Sequence, residues 1–427
     1  MYSFLFLMLI LFALLVAGQR IAFALGTVAV IAILTQDLSL PLMAQTLYGV
    51  MDNFIWAAIP LFILMGSILF HSGIAHDIYN SIYSWVKHIP GGLAVATILT
   101  CAFFAAVSGT SLGTVAALGG ITVPAMIEKG YDKKFAYGTI ACGGTLGILI
   151  PPSITMIIYG VITETSVEKL FLAGVIPGII LTLLFSIYCM IYSWKYQKGT
   201  IVQPASWKER WRSSRKSLWG ISVVVIIMGG IYSGFFTVTE SAGVGAAYAL
   251  FVGIVVYRKI NLKALLSIIQ ETTINSVMIF TIVAFAMCFG SAINMMQIPQ
   301  QVTEVMISFQ MPHWLTIILL NIILIFMGDF LDVPSIMLIT LPIFFPTILR
   351  MGYDPLWFAV LLTMNMELAT ITPPVGLNVY VLHGVLPDSK VSEILKGCVP
   401  FFMIIILCMV IVGLVPGLST WLPSLTK

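Results

Sequence analysis

Two stretches of the sequence place adjacent prolines inside an apolar run, GILIPPSITM at 147–156 and TITPPVGLNV at 370–379. Proline removes a backbone N–H and clashes with the carbonyl four residues earlier, so a helix breaks there. In lipid, such a break is tolerated only where protein or a water-filled cavity satisfies the freed carbonyls. Each break therefore offers carbonyl oxygens, which suit Na⁺, and a new helix N-terminus, which suits a carboxylate.

Two short polar stretches can supply complementary ligands. VSGTS at 107–111 offers hydroxyls and flexible carbonyls, and GDFLD at 328–332 adds carboxylates. We expect one Na⁺ beside each stretch and an organic anion between the two. The first predicted Na⁺ site comprises Ser108, Thr110, Gly147 and Ile150, and the second comprises Gly328, Asp329, Thr370 and Thr372. The wider set of candidate ion- and anion-binding residues adds Gly109, Ser111, Thr145 and Asp332.

These residues also have purely structural interpretations. Ser and Thr side chains in membrane helices commonly hydrogen-bond neighbouring helices. An intramembrane carboxylate is costly, so Asp329 and Glu367 point more strongly to function. The alternative for Asp332 is a place at the outer rim of the membrane, and the alternative for Glu367 is a bond to a backbone amide.

Composition places the chain in lipid. Of 427 residues, 60% are hydrophobic and only 9% are charged, a surface that no soluble domain presents to water. A crossing needs about 20 apolar residues, so there is room for about ten. The net charge of +3 argues against a nucleic-acid partner. The six cysteines lie singly in apolar segments, which predicts neither disulfides nor a metal cofactor.

An internal repeat divides the chain. VPAMIEKGYDKKFAYG (123–138) aligns with FPTILRMGYDPLWFAV (345–360) at an offset of 222, and the double prolines share that offset. The repeat predicts an all-α polytopic membrane protein with two five-crossing halves, 1–194 and 217–427. Each half is expected to contain a re-entrant hairpin and a broken helix: hairpin 92–126 with broken helix 133–163, and hairpin 314–349 with broken helix 355–387.

Positive charge sets the expected orientation. The connector 195–216 is rich in Lys and Arg, which places it in the cytoplasm as a basic loop or an amphipathic surface helix. The N-terminal apolar run lacks the basic start of a signal peptide and is predicted to be the first membrane helix. Counting crossings from the connector puts both termini outside and reverses the sense of the second half, an inverted repeat.

Two other functions fit parts of the sequence. GTSLG at 109–113 matches G-x-S-x-G, so Ser111 with His383 could form an intramembrane serine protease. That motif, however, requires a strand-to-helix turn, whereas Ser111 lies between two predicted helical arms. A simple channel is the other alternative, but two half-sites with inverted symmetry favour alternating access.

The sequence resembles a known family over essentially its whole length. Segments 60–74, 107–160, 230–250 and 371–384, which include PLFILMGSILFHSGI and ITPPVGLNVYVLHG, are similar to the large membrane subunit of tripartite ATP-independent periplasmic (TRAP) transporters. The resemblance implies a Na⁺-driven symporter rather than an enzyme, located in the bacterial inner membrane, with both termini in the periplasm. It also implies an elevator mechanism, in which 92–163 and 314–387 move against a scaffold.

The same resemblance implies the partners and limits the substrate. A small four-helix membrane subunit, encoded as a separate chain, and a soluble periplasmic substrate-binding protein are expected beside the lipid bilayer. Na⁺ is the coupling ion, and no other cofactor is implied. Dicarboxylates, sialic acid and other sugar acids remain open as substrates, with sialic acid favoured.

Overall fold

The computed structural model describes residues 2–35, 40–196, 203–308 and 312–426. Within these ranges the chain is helical and contains no strand, which confirms the predicted all-α class. Nine helical segments of this part of the chain are long and apolar enough to cross a membrane.

The first half contains α1 (Tyr2–Val16), α2 (Ile21–Thr35), α3 (Leu40–Met51), α4 (Ala58–Ser72), α5 (Ile74–Val86), α6 (Gly92–Ser108), α7 (Ser111–Glu128), α8 (Lys133–Gly143), α9 (Leu146–Leu149), α10 (Ile154–Thr163) and α11 (Val167–Tyr196). The second half contains α12 (Trp207–Tyr232), α13 (Val238–Phe251), α14 (Leu262–Met295), α15 (Ile298–Ser308), α16 (His313–Gly328), α17 (Val333–Arg350), α18 (Pro355–Ala369), α19 (Leu377–Val385), α20 (Val391–Leu414) and α21 (Gly417–Ser424).

The two halves contain the same central series of helices. Each has a hairpin, α6 with α7 or α16 with α17, followed by an interrupted helix, α8 to α10 or α18 to α19. The interruptions fall at the double prolines, where the chemistry of proline predicts them. We name the hairpin turns tip 1 (107–111) and tip 2 (328–332), and the interruptions break 1 (144–153) and break 2 (370–376).

Four helices lie outside the spans predicted from hydropathy. Helices α5 and α15 each precede a hairpin and pack against it, α5 on α6 and α15 on α17. Both are amphipathic, as IAHDIYNSIYSWV in α5 illustrates, so their polar faces interrupt the apolar run that a membrane span requires. The other two, α3 and α21, have only 12 and 8 residues.

The basic connector contains the start of α12. The side chain of Ser206 accepts a hydrogen bond from the Glu209 N–H and caps the helix, and Glu209 pairs with Lys87 at 3.0 Å. Residues 207–216 form about three turns of helix that continue without interruption into the apolar part. The helix therefore begins ten residues before the predicted start of the second half at 217, because charged residues propagate a helix as well as apolar ones do.

Helices from opposite halves interlock. Helix α2 packs on α14, α4 on α13, and α8 on α20. In the last pair, Gly138 and Gly397 meet backbone to backbone, and a Cβ on either residue would collide with a carbonyl of the other helix. Because small residues let helix backbones approach closely, the first broken helix is held by a helix of the second half.

Candidate ion and substrate site

Tip 1 is a compact cluster of hydroxyls and one carbonyl. Gly109 adopts φ +63, a left-handed conformation that favours glycine, and ends α6. The Thr110 side chain accepts from the Gly113 N–H and caps α7, while its carbonyl accepts hydrogen bonds from Ser108 Oγ (3.2 Å) and Thr114 Oγ1 (2.9 Å). The hydroxyl oxygens of Ser108 and Thr114 and the carbonyl oxygen of Thr110 thus converge at the end of the hairpin.

Break 1 releases carbonyls from the end of α8. The Thr145 N–H bonds Cys142 O instead of the carbonyl of residue 141, and the Thr145 hydroxyl bonds Cys142 O at 2.8 Å. After the prolines, Ser153 caps α10 by accepting from the Met156 N–H and donates its hydroxyl to Ile148 O. The break is therefore stabilised by side-chain hydroxyls, as lipid surroundings require.

The structure brings tip 1 and break 1 together. Gly109 O accepts the N–H of Ile154 at 3.3 Å, and Gly147 lies so close to Thr110 O that a Cβ has no room there. Of the predicted first Na⁺ site, Ser108, Thr110 and Gly147 are therefore neighbours, whereas the Ile150 side chain lies against Gly178 of α11.

Tip 2 contacts break 2 in a related way. Asp329 O accepts the N–H of Val375 at 3.2 Å, and a Cβ on Gly328 would lie 2.5 Å from Ala369 Cβ. The Asp332 carboxylate accepts the hydroxyl of Ser335 within its own hairpin. The structure thus places Gly328 and Asp329 against the second broken helix, and it engages Asp332 in a local bond.

The threonines of break 2 bond back into α18. Thr370 Oγ1 donates to Glu367 O at 2.8 Å, and Thr372 Oγ1 donates to Leu368 O at 2.9 Å. Thr370 O accepts the N–H of Asn378, which draws the two parts of the helix together. Each hydroxyl oxygen keeps acceptor capacity, since a hydroxyl has one donor and two lone pairs.

A hydrogen-bonded chain that the sequence analysis missed joins the two halves. Ser111 Oγ of tip 1 donates to Asn378 Oδ1 at 2.9 Å, and Asn378 Nδ2 donates to Ala141 O at 2.8 Å. Ala141 O is the carbonyl released by break 1, so an amide of the second broken helix satisfies the first. The available signal was a buried amide four residues after the second double proline.

A second polar group in the core was recognised only in part. Glu367 is fully buried in α18, and neither of its carboxylate oxygens has a hydrogen-bond partner among the described residues. On the same helix, Asn365 Nδ2 donates to the side chain of Asn321 in hairpin helix α16 at 2.9 Å. The interpretation of Glu367 as bonded to a backbone amide is therefore wrong.

The geometry does not assemble a serine protease. Ser111 donates its hydroxyl to Asn378, and His383 Nδ1 lies 3.3 Å from Ser389 Oγ. A nucleophile and its base must lie within hydrogen-bond reach of each other, and these two side chains have other partners.

The donor atoms at the tips suit a hard cation. They are hydroxyls, carbonyls and carboxylates, the ligands that hard cations prefer over thiolate or imidazole. In the described ranges, no group of three or more His, Cys, Asp or Glu side chains is arranged to hold a metal ion. The helix N-termini are partly occupied, since the N–H groups of Ile154 and Met156 already have partners.

Comparison with known proteins places this architecture in a family. Residues 8–418 match the family described as "Tripartite ATP-independent periplasmic transporter, DctM component". The C4-dicarboxylate TRAP transporter large permease protein DctM of Pseudomonas aeruginosa is 39% identical over 90% of this chain and 89% of its own. The sialic acid TRAP transporter large permease protein SiaM of Vibrio cholerae is 32% identical over 96% of both chains.

A solved structure supports the fold independently. The Alcanivorax borkumensis YdaH transporter, described as having an unusual topology, matches with a TM-score of 0.57 over 88% of this chain and 89% of its own, at 15% identity. At that identity the likeness concerns the fold alone. The relatives matched in sequence are permeases rather than enzymes, so the protease alternative is not favoured. The chain belongs to the DctM component family of the TRAP transporters.

Proposed function

We propose that this chain is the Na⁺-coupled permease of a TRAP transporter and carries an organic acid into the cell across the bacterial inner membrane. The observation that carries the proposal is the chain Ser111–Asn378–Ala141, which links tip 1, the second broken helix and the first. Because each tip also bonds a residue just after a double proline, two half-sites form one hydrogen-bonded unit. Such a unit can couple the binding of an ion to that of an anion.

The proposed Na⁺ ligands are oxygens of the tips and breaks. Ser108 Oγ and Thr110 O lie 3.2 Å apart beside Gly147, which supports a first site. Asp329 lies on tip 2, whose contact with break 2 brings it near Thr370 and supports a second. Carbonyls and hydroxyls replace part of the hydration shell of the ion, and a carboxylate adds charge.

The proposed transport step is an elevator movement of 92–163 and 314–387 against the remaining helices. In support, a cleft of about 180 Å³ lies among α10, α14 and α17, with Thr163, Ser291 and Asn294 in its lining, although α14 also packs directly on α17. Scaffold helix α4 meets tip 1, since a Cβ on Gly66 would lie 3.1 Å from Ser108 Cα. A contact between small residues at the tip permits sliding, because no large interdigitated side chains have to separate.

We propose a C4-dicarboxylate as the substrate class, in place of the sialic acid favoured by sequence analysis. The relative described for C4-dicarboxylates is 39% identical and the one described for sialic acid 32%. The anion is proposed to bind between the two tips. The partners are a small membrane subunit and a periplasmic substrate-binding protein, as the tripartite family description supports.

The test is uptake of radiolabelled succinate into proteoliposomes that contain this chain with its small subunit and binding protein. Each Na⁺ that enters gains about 2.3 kcal/mol per 100 mV, but two Na⁺ entering with one succinate dianion move no net charge, so the inward Na⁺ gradient rather than the membrane potential should drive accumulation. Ser108→Ala and Asp329→Ala are expected to weaken the dependence on Na⁺. Uptake that persists without a Na⁺ gradient would contradict the coupling, and uptake of sialic acid but not succinate would contradict the substrate class.

Matched control variants distinguish an effect on the proposed ion sites from general damage to the protein. Thr281→Ala removes a hydroxyl that bonds only within α14, at Val277 O, and Asp388→Ala removes an exposed carboxylate after α19. Both variants should keep the wild-type Na⁺ dependence. Wild-type dependence in Ser108→Ala and Asp329→Ala as well would show that the ion sites are assigned wrongly.

A further inference from the structure

A basic and aromatic stripe runs along the first turns of α12, away from the ion site. Its six residues recur at three- and four-residue spacing, so they share one face of the helix. All six side chains are exposed. The stripe consists of Lys208, Trp211, Arg212, Arg215, Lys216 and Trp219.

This stripe forms one wall of a cavity of about 680 Å³. The opposite wall is supplied by Asp77 of α5 and by Val256 and Tyr257 beyond α13. Tyr257 donates its hydroxyl to Asp77 at 2.9 Å and also lies 3.3 Å from Lys216 O, which holds the wall in place. The cavity is therefore a formed feature between three elements.

The charge of the cavity is strongly positive and unneutralised. It contains four cationic side chains and one carboxylate, Asp77. In the described part of the chain the single ion pair is Lys87 with Glu209, outside this cavity. The neighbouring Arg210 is used differently, since it stacks over Trp85 and Trp207. The cations of the stripe thus lack the anionic partner that a cluster of like charges calls for.

The surroundings indicate an anion with an apolar tail. Along the Trp211 edge of the stripe, Leu218 and Val225 follow at seven-residue spacing as exposed apolar side chains, 56% and 63% exposed. Below the opposite wall, Ile254 and Val255 are exposed as well. Tryptophans such as Trp211 and Trp219 are the residues enriched where a membrane meets water. The cavity therefore lies beside two exposed apolar faces and carries tryptophans of the kind found near lipid headgroups.

We propose that this cavity binds the headgroup of an anionic phospholipid, with Arg212 and Arg215 on the phosphodiester and acyl chains along α12 and α13. Arginine suits this role because its planar guanidinium bonds phosphate in a bidentate way. Basic pockets at membrane helices are known binding sites for such lipids. The site is separate from the proposed ion site, and it would anchor the scaffold during transport.

The experiment is native mass spectrometry of the purified chain, delipidated and then titrated with phosphatidylglycerol or with phosphatidylcholine of the same acyl chains. Phosphatidylglycerol should bind at least about tenfold more tightly than phosphatidylcholine. The double variant Arg212→Gln/Arg215→Gln should remove most of this preference. The double variant Lys195→Gln/Lys263→Gln, which removes two exposed cations elsewhere, should keep it.

Further arms distinguish the sources of the phosphate. The variant Arg212→Lys/Arg215→Lys keeps the charge and should retain part of the preference, because only the bidentate bonds are lost. Glycerol phosphate, which has no acyl chains, should fail to compete; effective competition would overturn the lipid assignment in favour of a free phosphate ligand. If both glutamine variants lost the preference for phosphatidylglycerol equally, the preference would come from the net charge of the chain rather than from this cavity. Displacement of the lipid by the small subunit, dependent on Arg212 and Arg215, would identify a protein interface instead.

Discussion

The two half-sites share a design but differ in their exposure. At tip 1, Ser108 and Ser111 are only 5% and 4% exposed, whereas Phe330 of tip 2 is 52% exposed. The prolines of break 1 are buried and those of break 2 are exposed. The first half-site is covered by neighbouring helices, as the contacts Gly66–Ser108 and Gly174–Leu149 O illustrate.

The chemistry of the two half-sites follows their exposure. The enclosed site carries neutral hydroxyls and the open one carries carboxylates, Asp329 and Asp332. Removing a charge from water costs several kcal/mol unless it is paired, while a hydroxyl needs only a hydrogen bond. The comparison teaches that the carboxylates of tip 2 accompany looser packing, although Asp329 and Asp332 are half-buried and Glu367 of the same half is fully buried. We expect the ion to enter the second half-site first, and we expect the first half-site to set the geometry in which the ion is bound.

The largest expected effect compares Gly147→Ala with Gly328→Ala. A methyl on Gly147 would lie within 3.0 Å of three backbone atoms of tip 1, Thr110 O, Thr110 C and Ser111 N, while a methyl on Gly328 would lie that close only to the Ala369 methyl. We expect succinate uptake to fall about 100-fold in the first variant and about tenfold in the second, since overpacking is costlier against fixed backbone. Gly384→Ala is the control, because a Cβ there has nothing within 4 Å. Equal losses of uptake in Gly147→Ala and Gly328→Ala would contradict the expected difference in rigidity between the two places.

The next effect separates the two carboxylates of tip 2. Asp329 makes no side-chain hydrogen bond or ion pair within the described residues, whereas Asp332 accepts from Ser335. Asp329→Asn should therefore raise the Na⁺ concentration for half-maximal uptake about tenfold, equivalent to about 1.4 kcal/mol, at an unchanged melting temperature. Asp332→Asn should lower the melting temperature and change the Na⁺ titration less. The reverse pattern would assign the ion to Asp332.

The smallest expected effect concerns the bond that joins the half-sites. In a double-mutant cycle, Ser111→Ala and Asn378→Ala should be coupled by about 1 kcal/mol in the rate of succinate uptake. Asn378→Ala alone should cost more than Ser111→Ala, because it also leaves Ala141 O unbonded. The control cycle uses Ser222→Ala and Tyr248→Phe, whose hydroxyls lie 2.7 Å apart outside the site. If the control cycle also showed coupling in uptake, or the Ser111–Asn378 cycle showed none, the bond between Ser111 and Asn378 would have only a structural role.

Much of the fold was readable because its signals are local. Hairpins and breaks follow from apolar runs interrupted by Gly, Asp and double Pro, and these residues act on their own stretch of backbone. Helices α5 and α15 were missed because an amphipathic helix has no long apolar run, and the connector was left open between a loop and a surface helix because the first turns of α12 are charged. These are limits of hydropathy, which measures transfer into lipid rather than helix formation.

Which candidate segments meet could be predicted from the sequence, but which atoms meet could not. Ser108, Thr110 and Gly147 are neighbours, as the pairing of tip and break implied, and the side chain of Ile150, which was predicted to contribute backbone rather than side-chain atoms, lies against α11. Asn378 and Ser335, which bond Ser111 and Asp332, were not identified at all. Which oxygens meet depends on rotamers and on packing between residues far apart in sequence, and no local pattern encodes them.

The sequence by itself determined that there are two broken helices, because an offset of 222 repeats a GYD turn and a double proline, and proline breaks a helix whatever surrounds it. Only the tertiary structure decided that a serine of one half and an asparagine of the other share a hydrogen bond across 267 positions of chain. It also decided that one double proline is buried and the other exposed. The reason is physical: a broken helix is a property of a local covalent geometry, whereas burial and partnership are properties of whichever helices pack against it.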